Sequence, residues 1–297
     1  MNNFERMMMM HLNIFVSQNC FFYCKGCYSF SRIEKCNQVV ETKKIVDFLK
    51  YAYKRGIKKI TLCGGDPLTR NDIMNLIKQI KNIGYYISID TVGTTIIRDI
   101  KVNDKIVIKK IDTKKLSKLV DEIGIPIDGS STEVIKKFRQ AKFDILSEQL
   151  QICNELMKYN ANICINTVVH KENLNDGKLL CNLINKLDYI KKWQLFKFAP
   201  MGKYGYLNKK IFEITDDEFE KYKKTILNEC LRKEIVEFKG YESRNNKYVM
   251  IDNSGIAWIP EYSQELFDNK LEGIEQRNIL GNIKNKSDWE YICNFLV

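Results

Sequence analysis

Apolar residues in this chain follow two alternating periodicities. Short runs rich in β-branched and aromatic residues predict six strands, at residues 12–16, 59–62, 86–90, 123–127, 163–169 and 193–198. Between them lie stretches with apolar residues at helical spacing, such as residues 42–55 and 71–83, which end at Gly56 and Gly84. Strands that alternate with helices predict right-handed βαβ units and a parallel sheet, and therefore an α/β fold.

The alternation ends near residue 204, after which the pattern changes. A helix is predicted over residues 215–228, with Thr215 as its N-cap and acidic residues in its first turn. Residues 248–259 predict a β-hairpin, and a last amphipathic stretch begins at residue 287. We therefore divide the chain into a core of residues 1–204 and a C-terminal extension of residues 205–297.

Composition narrows the class of protein. A chain of 297 residues with 44% hydrophobic and 29% charged residues predicts one or two globular domains. No stretch approaches the roughly 20 apolar residues of a membrane span. The run of four Met residues at 7–10 lacks the cleavage pattern of a signal peptide. Ten cysteines without an export signal predict a reducing, cytoplasmic setting.

The net charge of +11 has two explanations. Lysines are spread along the whole chain, which favours a solvated surface; the alternative is a field that attracts an anionic partner. The sequence contains no RNA-binding signature or zinc-finger spacing, so we do not expect a nucleic-acid partner.

Three cysteines are the most specific chemical signal. Cys20, Cys24 and Cys27 form a Cys-x3-Cys-x2-Cys run directly after the first predicted strand. A structural zinc site and a closed iron–sulfur cluster each need four ligands, whereas three thiolates can hold three corners of a [4Fe–4S] cube. The fourth iron would then be open to a substrate or cofactor. The alternative is a zinc site completed by Cys36, His11 or Cys63.

Polar and glycine residues mark the ends of other predicted strands, where α/β sheets bind ligands. Gly64-Gly65-Asp66-Pro67 ends the second strand, and its two glycines allow a close backbone approach. Asp128 ends the fourth strand and could instead cap the helix that carries Arg139. Asn166 interrupts the apolar run of the fifth strand, and a buried amide there needs a polar partner.

With these motifs the chain resembles radical S-adenosylmethionine (SAM) enzymes. The cysteine run and the Gly64–Pro67 segment match the family's two strongest motifs, and weaker matches are Asp90-Thr91-Val92-Gly93-Thr94 and Asp128-Gly129. The resemblance covers roughly residues 11–200. It implies a partial (β/α)6 barrel of parallel strands, with the C-terminal extension closing the barrel mouth.

The resemblance also implies cofactors and roles. Cys20, Cys24 and Cys27 would ligate one [4Fe–4S] cluster, and SAM would bind its open iron. Gly64, Gly65 and Asp66 would hold the SAM amino group. The candidates for its remaining contacts are Asp128, Ser130, Arg139, Asn166 and Phe198. An external electron donor such as flavodoxin or ferredoxin would reduce the cluster, and the resulting 5′-deoxyadenosyl radical would abstract hydrogen from a substrate.

Two positions depart from the family pattern. Gly26 stands where many members have an aromatic residue that packs on the adenine, a place that Tyr28 or Phe22 could take. Asp66 stands where the motif usually has Glu, which shortens the side chain by one methylene but keeps the carboxylate.

The resemblance leaves the substrate open. We favour a ribosomally made peptide; the alternatives are a nucleotide, as for viperin-like members, or a glycyl-radical enzyme to be activated. A non-catalytic iron–sulfur or zinc module is a more remote alternative. The last third contains only Cys230 and Cys293, so we expect no auxiliary cluster, and too few residues precede Cys20 for a leader-peptide domain. Each of these two cysteines is either a hydrogen donor to the substrate radical or a buried core residue.

Overall fold

The computed structural model describes residues 11–29, 39–245, 247–269 and 277–295. Cys36 lies outside these residues. Ten strands form one sheet: β1 (His11–Ser17), β2 (Lys59–Gly64), β3 (Tyr86–Asp90), β4 (Glu122–Pro126), β5 (Ile163–Val169), β6 (Lys192–Lys197), β7 (Val236–Lys239), β8 (Tyr248–Ile251), β9 (Ile256–Pro260) and β10 (Arg277–Asn282).

The helices follow the strands along the chain. They are α1 (Thr42–Lys54), α2 (Ile73–Ile83), α3 (Thr94–Ile97), α4 (Thr113–Leu119), α5 (Thr132–Phe138), α6 (Ile145–Met157), α7 (Gly177–Asn185), α8 (Gly202–Leu207), α9 (Lys209–Phe212), α10 (Asp216–Glu229), α11 (Gln264–Asn269) and α12 (Trp289–Asn294). Outside the sheet, Tyr23–Cys24 pairs with Arg139–Gln140, and Ile100–Val102 pairs with Lys105–Ile108. Within the described residues, no helix combines the length and the apolar character needed to cross a membrane.

The six predicted strands are confirmed as β1 to β6. They lie side by side in the order β6-β5-β4-β3-β2-β1, and each neighbouring pair is parallel. The predicted N-cap of α10 is also confirmed, because the Thr215 hydroxyl accepts from the Glu218 N–H while the Glu218 carboxylate accepts from the Thr215 N–H. Gly84 ends α2 at a φ of 110°, in the left-handed region that favours glycine.

The C-terminal residues extend the sheet at both edges. Strand β7, which the sequence pattern did not predict, pairs in parallel with β6. The hairpin of β8 and β9 forms as predicted, but β8 also pairs in parallel with β1, where Tyr248 lies opposite His11. The sheet therefore has four strands beyond the six of the core. The division into a core and an extension that closes the mouth stays a prediction.

The two faces of the sheet differ in character. Alternate residues such as Leu12, Ile60, Ile87 and Ile123 point to one face, where they pack with apolar residues of the helices in the main core. The intervening residues form the opposite, inner face. Many of these are polar, and they include Asn13, Thr61, Ser88, Asp90, Glu122, Asn166, Lys192, Gln194 and Glu237. A helix layer on one face alone leaves the inner face to enclose a polar space.

The parallel strands with helices packed on one face form the partial barrel that the sequence predicts. Charged side chains of different strands act on one another on its inner face. Burial lowers the pKa of Lys59 on β2, and Glu122 on β4 opposes that shift.

Arg232 attaches the start of the extension to the core. Its guanidinium donates hydrogen bonds at 2.8–3.1 Å to the backbone carbonyl of Ile184, in the last turn of α7, and to those of Leu187, Asp188 and Ile190, which follow that helix. The last carbonyls of a helix have no partner within the helix, and a charged donor stabilises them.

We expect Arg232→Ala to lower the free energy of unfolding by about 2–3 kcal/mol, because hydrogen bonds from a charged donor are among the stronger ones. Chemical denaturation followed by circular dichroism measures the change. Arg55→Ala serves as the control, since Arg55 makes an exposed ion pair with Glu290 and should change stability little. Equal stability of the two variants would contradict the anchoring role of Arg232.

Candidate active site

The three cysteines lie together on the loop that follows β1. Each is partly exposed, and none of them forms a disulfide. Cys24 is fixed by its short antiparallel pairing with Arg139, and the Lys25 N–H donates to the Phe138 carbonyl at 2.8 Å. The loop is therefore held against the segment that follows α5.

A buried ion pair lies next to the sulfur of Cys24. The Arg139 guanidinium pairs with Asp128, which is fully buried, and its Nη1 lies 3.6 Å from the Cys24 sulfur. Burial alone would lower the pKa of Arg139, but the charges of Asp128 and Cys24 outweigh it and raise that pKa. A fixed positive charge beside a thiol favours the thiolate, which is the form that binds iron. Arg139 and Asp128 therefore hold the cysteine loop in place and favour the thiolate of Cys24.

Gly64 and Gly65 fit closely against the chain that leads into the cysteine loop. The Gly65 N–H donates to the Ser17 carbonyl at 2.8 Å, and a Cβ on Gly64 would lie 2.6 Å from the same oxygen. A Cβ on Gly65 would collide with the Asn19 carbonyl. Because φ of Gly64 is +124°, a side chain there would also be strained. The two glycines thus bring the end of β2 against the loop, in addition to the role predicted for them towards SAM.

Asp66 points inward from the same turn. Its Oδ1 accepts from the Thr91 hydroxyl at 2.5 Å and from the Leu68 N–H at 3.2 Å, while Oδ2 accepts no hydrogen bond from any described residue. Burial raises the pKa of Asp66 to about 6. A buried acceptor without a donor fits an amino group, and three thiols on one loop fit the cluster ligands that the sequence predicts.

Ser130 and Asn166, two further predicted contacts, have partners within the protein. The Ser130 hydroxyl and N–H both donate to Asp176, at 2.5 and 2.6 Å. The Asn166 amide donates to Asp90 at 2.8 Å on the inner face. Sequence reasoning did not single out Asp176; a strand-end Ser followed by a buried acid gives no spacing signal.

Phe198 lies beneath the cysteine loop. It is fully buried, with its ring edge to face with Phe138 at 5.9 Å. A Cβ on Gly26 would lie 2.7 Å from the Phe198 ring and closer still to that of Phe138. These two rings fill the space where the family pattern has an aromatic residue before the last cysteine. Phe22 is fully buried in a separate cluster, whereas Tyr28 is 43% exposed and can still contact a ligand.

Cys230 and Cys293 are not brought to this site. Both are buried in the main core, on the helical side of the sheet. Cys230 follows α10, and Cys293 lies on α12, which packs against α1. The structure therefore gives each the core position, and the proposal of a hydrogen donor finds no support at either. Cys63, named as a zinc ligand, is buried with Phe15, Met250 and Trp258.

Within the described residues, no group of three or more His, Cys, Asp or Glu side chains is arranged to bind a single metal ion. A cluster makes a different demand, because each of its irons takes its own thiolate. The site contains three thiols on one loop and the Arg139 guanidinium beside one of them. It also contains the buried carboxylate of Asp66, which directly follows Gly64 and Gly65.

Comparisons with known proteins agree with this arrangement. Residues 14–184 match the family model of the radical SAM superfamily, so the chain belongs to that superfamily. Its members are enzymes that use a [4Fe–4S] cluster and SAM. The matched region extends from β1 to α7 and contains the cysteine loop and the Gly64–Pro67 segment.

Individual relatives differ in their substrates. A probable GTP 3′,8-cyclase of Methanococcus aeolicus is 25% identical over 84% of this chain and 75% of its own length. A SAM-dependent nucleotide dehydratase of Flammeovirga pacifica is 23% identical, with 82% and 80% covered. The structure of Streptococcus suis SuiB bound to its precursor peptide SuiA is similar in fold, with a TM-score of 0.69 at 16% identity, over 94% of this chain. The chain spans 63% of SuiB, and half of a probable GTP 3′,8-cyclase of Thermococcus kodakarensis.

We expect Cys24→Ala to lose most of the iron and sulfide bound after anaerobic reconstitution, because one of three ligands is removed. Cys36→Ala should keep them. Iron and sulfide analysis, together with the visible absorption of the cluster, measures the outcome. Loss of iron in Cys36→Ala would mean that a fourth thiolate closes the site.

Asp66 gives a prediction for pH. Its folded pKa of about 6 exceeds the ordinary value of 3.8, so the folded state keeps its proton longer than the unfolded state. As the pH rises from 4 to 6, the free energy of unfolding of the wild type should therefore fall by about 3 kcal/mol relative to that of Asp66→Asn. Denaturation of cluster-free protein at several pH values measures the difference. A difference that stays constant with pH would contradict the raised pKa.

Proposed function

We propose that this enzyme modifies a peptide substrate by hydrogen abstraction. When bound, the cluster and SAM supply a 5′-deoxyadenosyl radical. The chain's own residues contribute the rest: Cys20, Cys24 and Cys27 hold the cluster, Asp66 accepts from the SAM amino group, and the polar inner face binds the substrate.

The charged side chains of the inner face are the observation that favours a peptide over a nucleotide. Lys192 forms an ion pair with Glu122, and Lys239 forms one with Glu237 at 2.8 Å. Lys59 lies 5.1 Å from the ring centre of Tyr86, and burial lowers its pKa. A nucleoside triphosphate needs several cations that are free to bind phosphate oxygens. On the described inner face, two lysines are paired with carboxylates, and the third has a lowered pKa and therefore holds its proton less strongly. This arrangement favours a substrate that is neutral or cationic.

Other basic groups near the barrel are also engaged. The Arg244 guanidinium lies 4.2 Å from the ring centre of Tyr262 and donates to the Lys197 carbonyl. The Lys197 ammonium, which is 1% exposed, pairs with Asp216 on the helical side. These contacts leave neither Arg244 nor Lys197 free to bind a triphosphate.

A nucleotide is the second candidate, and the curated relatives support it. Both the cyclase of M. aeolicus and the dehydratase of F. pacifica align over more than four fifths of this chain. Identities near 25% do not carry a substrate from one protein to another, because binding residues change while the cofactor scaffold remains.

We also propose a cytoplasmic location and reduction by flavodoxin or ferredoxin.

The test is a comparison of substrates with the reconstituted enzyme, SAM and dithionite. We expect a short peptide encoded beside the gene to stimulate 5′-deoxyadenosine formation and to change in mass, while GTP and CTP do neither. Deuterium transfer from labelled peptide into 5′-deoxyadenosine would identify the abstracted hydrogen, and Cys24→Ala provides the inactive control. Consumption of a nucleotide with an unchanged peptide would favour the second candidate. If no condition yields 5′-deoxyadenosine, the assignment as an active enzyme fails.

A further inference from the structure

Three neighbouring strands build a small polar feature on the inner face. Asp90 is the last residue of β3, and Asn166 lies on β5. Strand β4 runs between them, and the Asn166 amide nevertheless reaches the Asp90 carboxylate at 2.8 Å. Side chains from β3 and β5 can meet in this way only if the strand between them leaves room.

Gly124 leaves that room. It lies on β4, directly opposite Asp90 on one side and Cys164 on the other. A Cβ at this position would lie 2.5 Å from the Asn166 amide nitrogen and closer still to the Asp90 carboxylate. Glycine weakens a strand, so one in its middle marks a close approach. Here the close approach is that of the Asp90–Asn166 pair.

The pair lies deeper in the barrel than the cysteine loop. Asn166 is opposite Pro126, and Asp128, which supports Cys24 through Arg139, is two residues further along the chain. Two residues of extended chain span about 7 Å. Asp90 directly precedes Thr91, whose hydroxyl contacts Asp66, so the pair lies beside the predicted SAM site and faces the space that the sheet encloses.

Asp90 is ionisable and accessible to a ligand. More than a third of its surface is exposed, although protein surrounds it, and within the described residues it forms no ion pair. Burial raises the pKa of Asp90 to about 6, and the charge of Glu122 adds to this, while Lys59 and Lys192 act in the opposite direction. Lys192 is already paired with Glu122, and burial lowers the pKa of Lys59, so a cation from outside the protein would stabilise a carboxylate at Asp90 further.

We propose that Asp90 and Asn166 form a subsite for a cationic nitrogen group of the substrate, an ammonium or a guanidinium. Asp90 pairs with the charge, the Asn166 amide orients the carboxylate, and Gly124 provides the space. This inference rests on the proposed peptide substrate, and it specifies that the peptide carries a Lys or Arg side chain near the modified residue.

Agmatine, a dication that presents a guanidinium and an ammonium, is the probe for the subsite, and N-butylurea is an uncharged analogue that lacks both cations. Calorimetric titration of the reconstituted enzyme should detect agmatine but not N-butylurea. We expect Asp90→Asn to weaken agmatine binding by about tenfold or more, because it removes the paired charge. Gly124→Ala should weaken it as well, by placing a methyl group in the space. Asp104→Asn, at an exposed turn, is the matched control and should bind as wild type does.

Folding is checked independently, by circular dichroism and iron content. Asp90→Asn keeps the size of the side chain and removes a carboxylate that burial disfavours, so we expect it to fold. Unchanged agmatine binding in folded Asp90→Asn would overturn the subsite. Equal displacement of agmatine by NaCl at the same concentration would also overturn it, because the attraction would then be unspecific.

Peptide kinetics separate this inference from the proposed function. Replacing Lys or Arg of a peptide substrate by norleucine should raise its KM in wild type and have little effect in Asp90→Asn. If both peptides react equally well in wild type, the subsite is wrong while the peptide function stands. If no peptide reacts but agmatine binding still depends on Asp90, the subsite stands and the peptide function is wrong.

Discussion

The buried ion pair of Arg139 and Asp128 connects the chemistry of this protein to its sheet. Asp128 follows β4, accepts from the Val168 N–H on β5 at 2.8 Å and holds the guanidinium that contacts the Cys24 sulfur. A buried charge that loses its partner costs several kcal/mol, so neither residue can move without the other. The cysteine loop thereby takes its position from two strands of the barrel rather than from its own short sequence.

Glycines, which have no side chain, are as important in this structure as the polar residues. Gly64 and Gly65 let the end of β2 approach the backbone of the cysteine loop, Gly26 makes room for two phenylalanine rings, and Gly124 lets two side chains meet across a strand. In each case a Cβ would lie within 3 Å of another atom, a distance that real side chains do not adopt. The crowding occurs along the inner face and at its rim.

The sequence predicted the six core strands because their apolar runs are long and clear, and the prediction that three thiols bind the cluster rests on their specific spacing. It did not predict the pairing of Ser130 with Asp176 or of Asn166 with Asp90, which depends on strand register over distances of 46 and 76 residues. Strand β7 was missed because its four residues are all half-buried and carry little pattern. For Cys230 and Cys293, periodicity indicated burial but could not tell which side of the sheet they occupy.

The pairing of β1 with β8 has a consequence for how this chain folds. His11 finds its partner at Tyr248, and β6 finds its outer neighbour only at Val236, so both borders of the six-stranded core are completed late in synthesis. Until then β1 and β6 present open backbone donors and acceptors, which invite pairing with other chains. Contacts of such long range also slow folding, since the loop must close before they form. The nascent chain thus depends on its last third to become safe from aggregation.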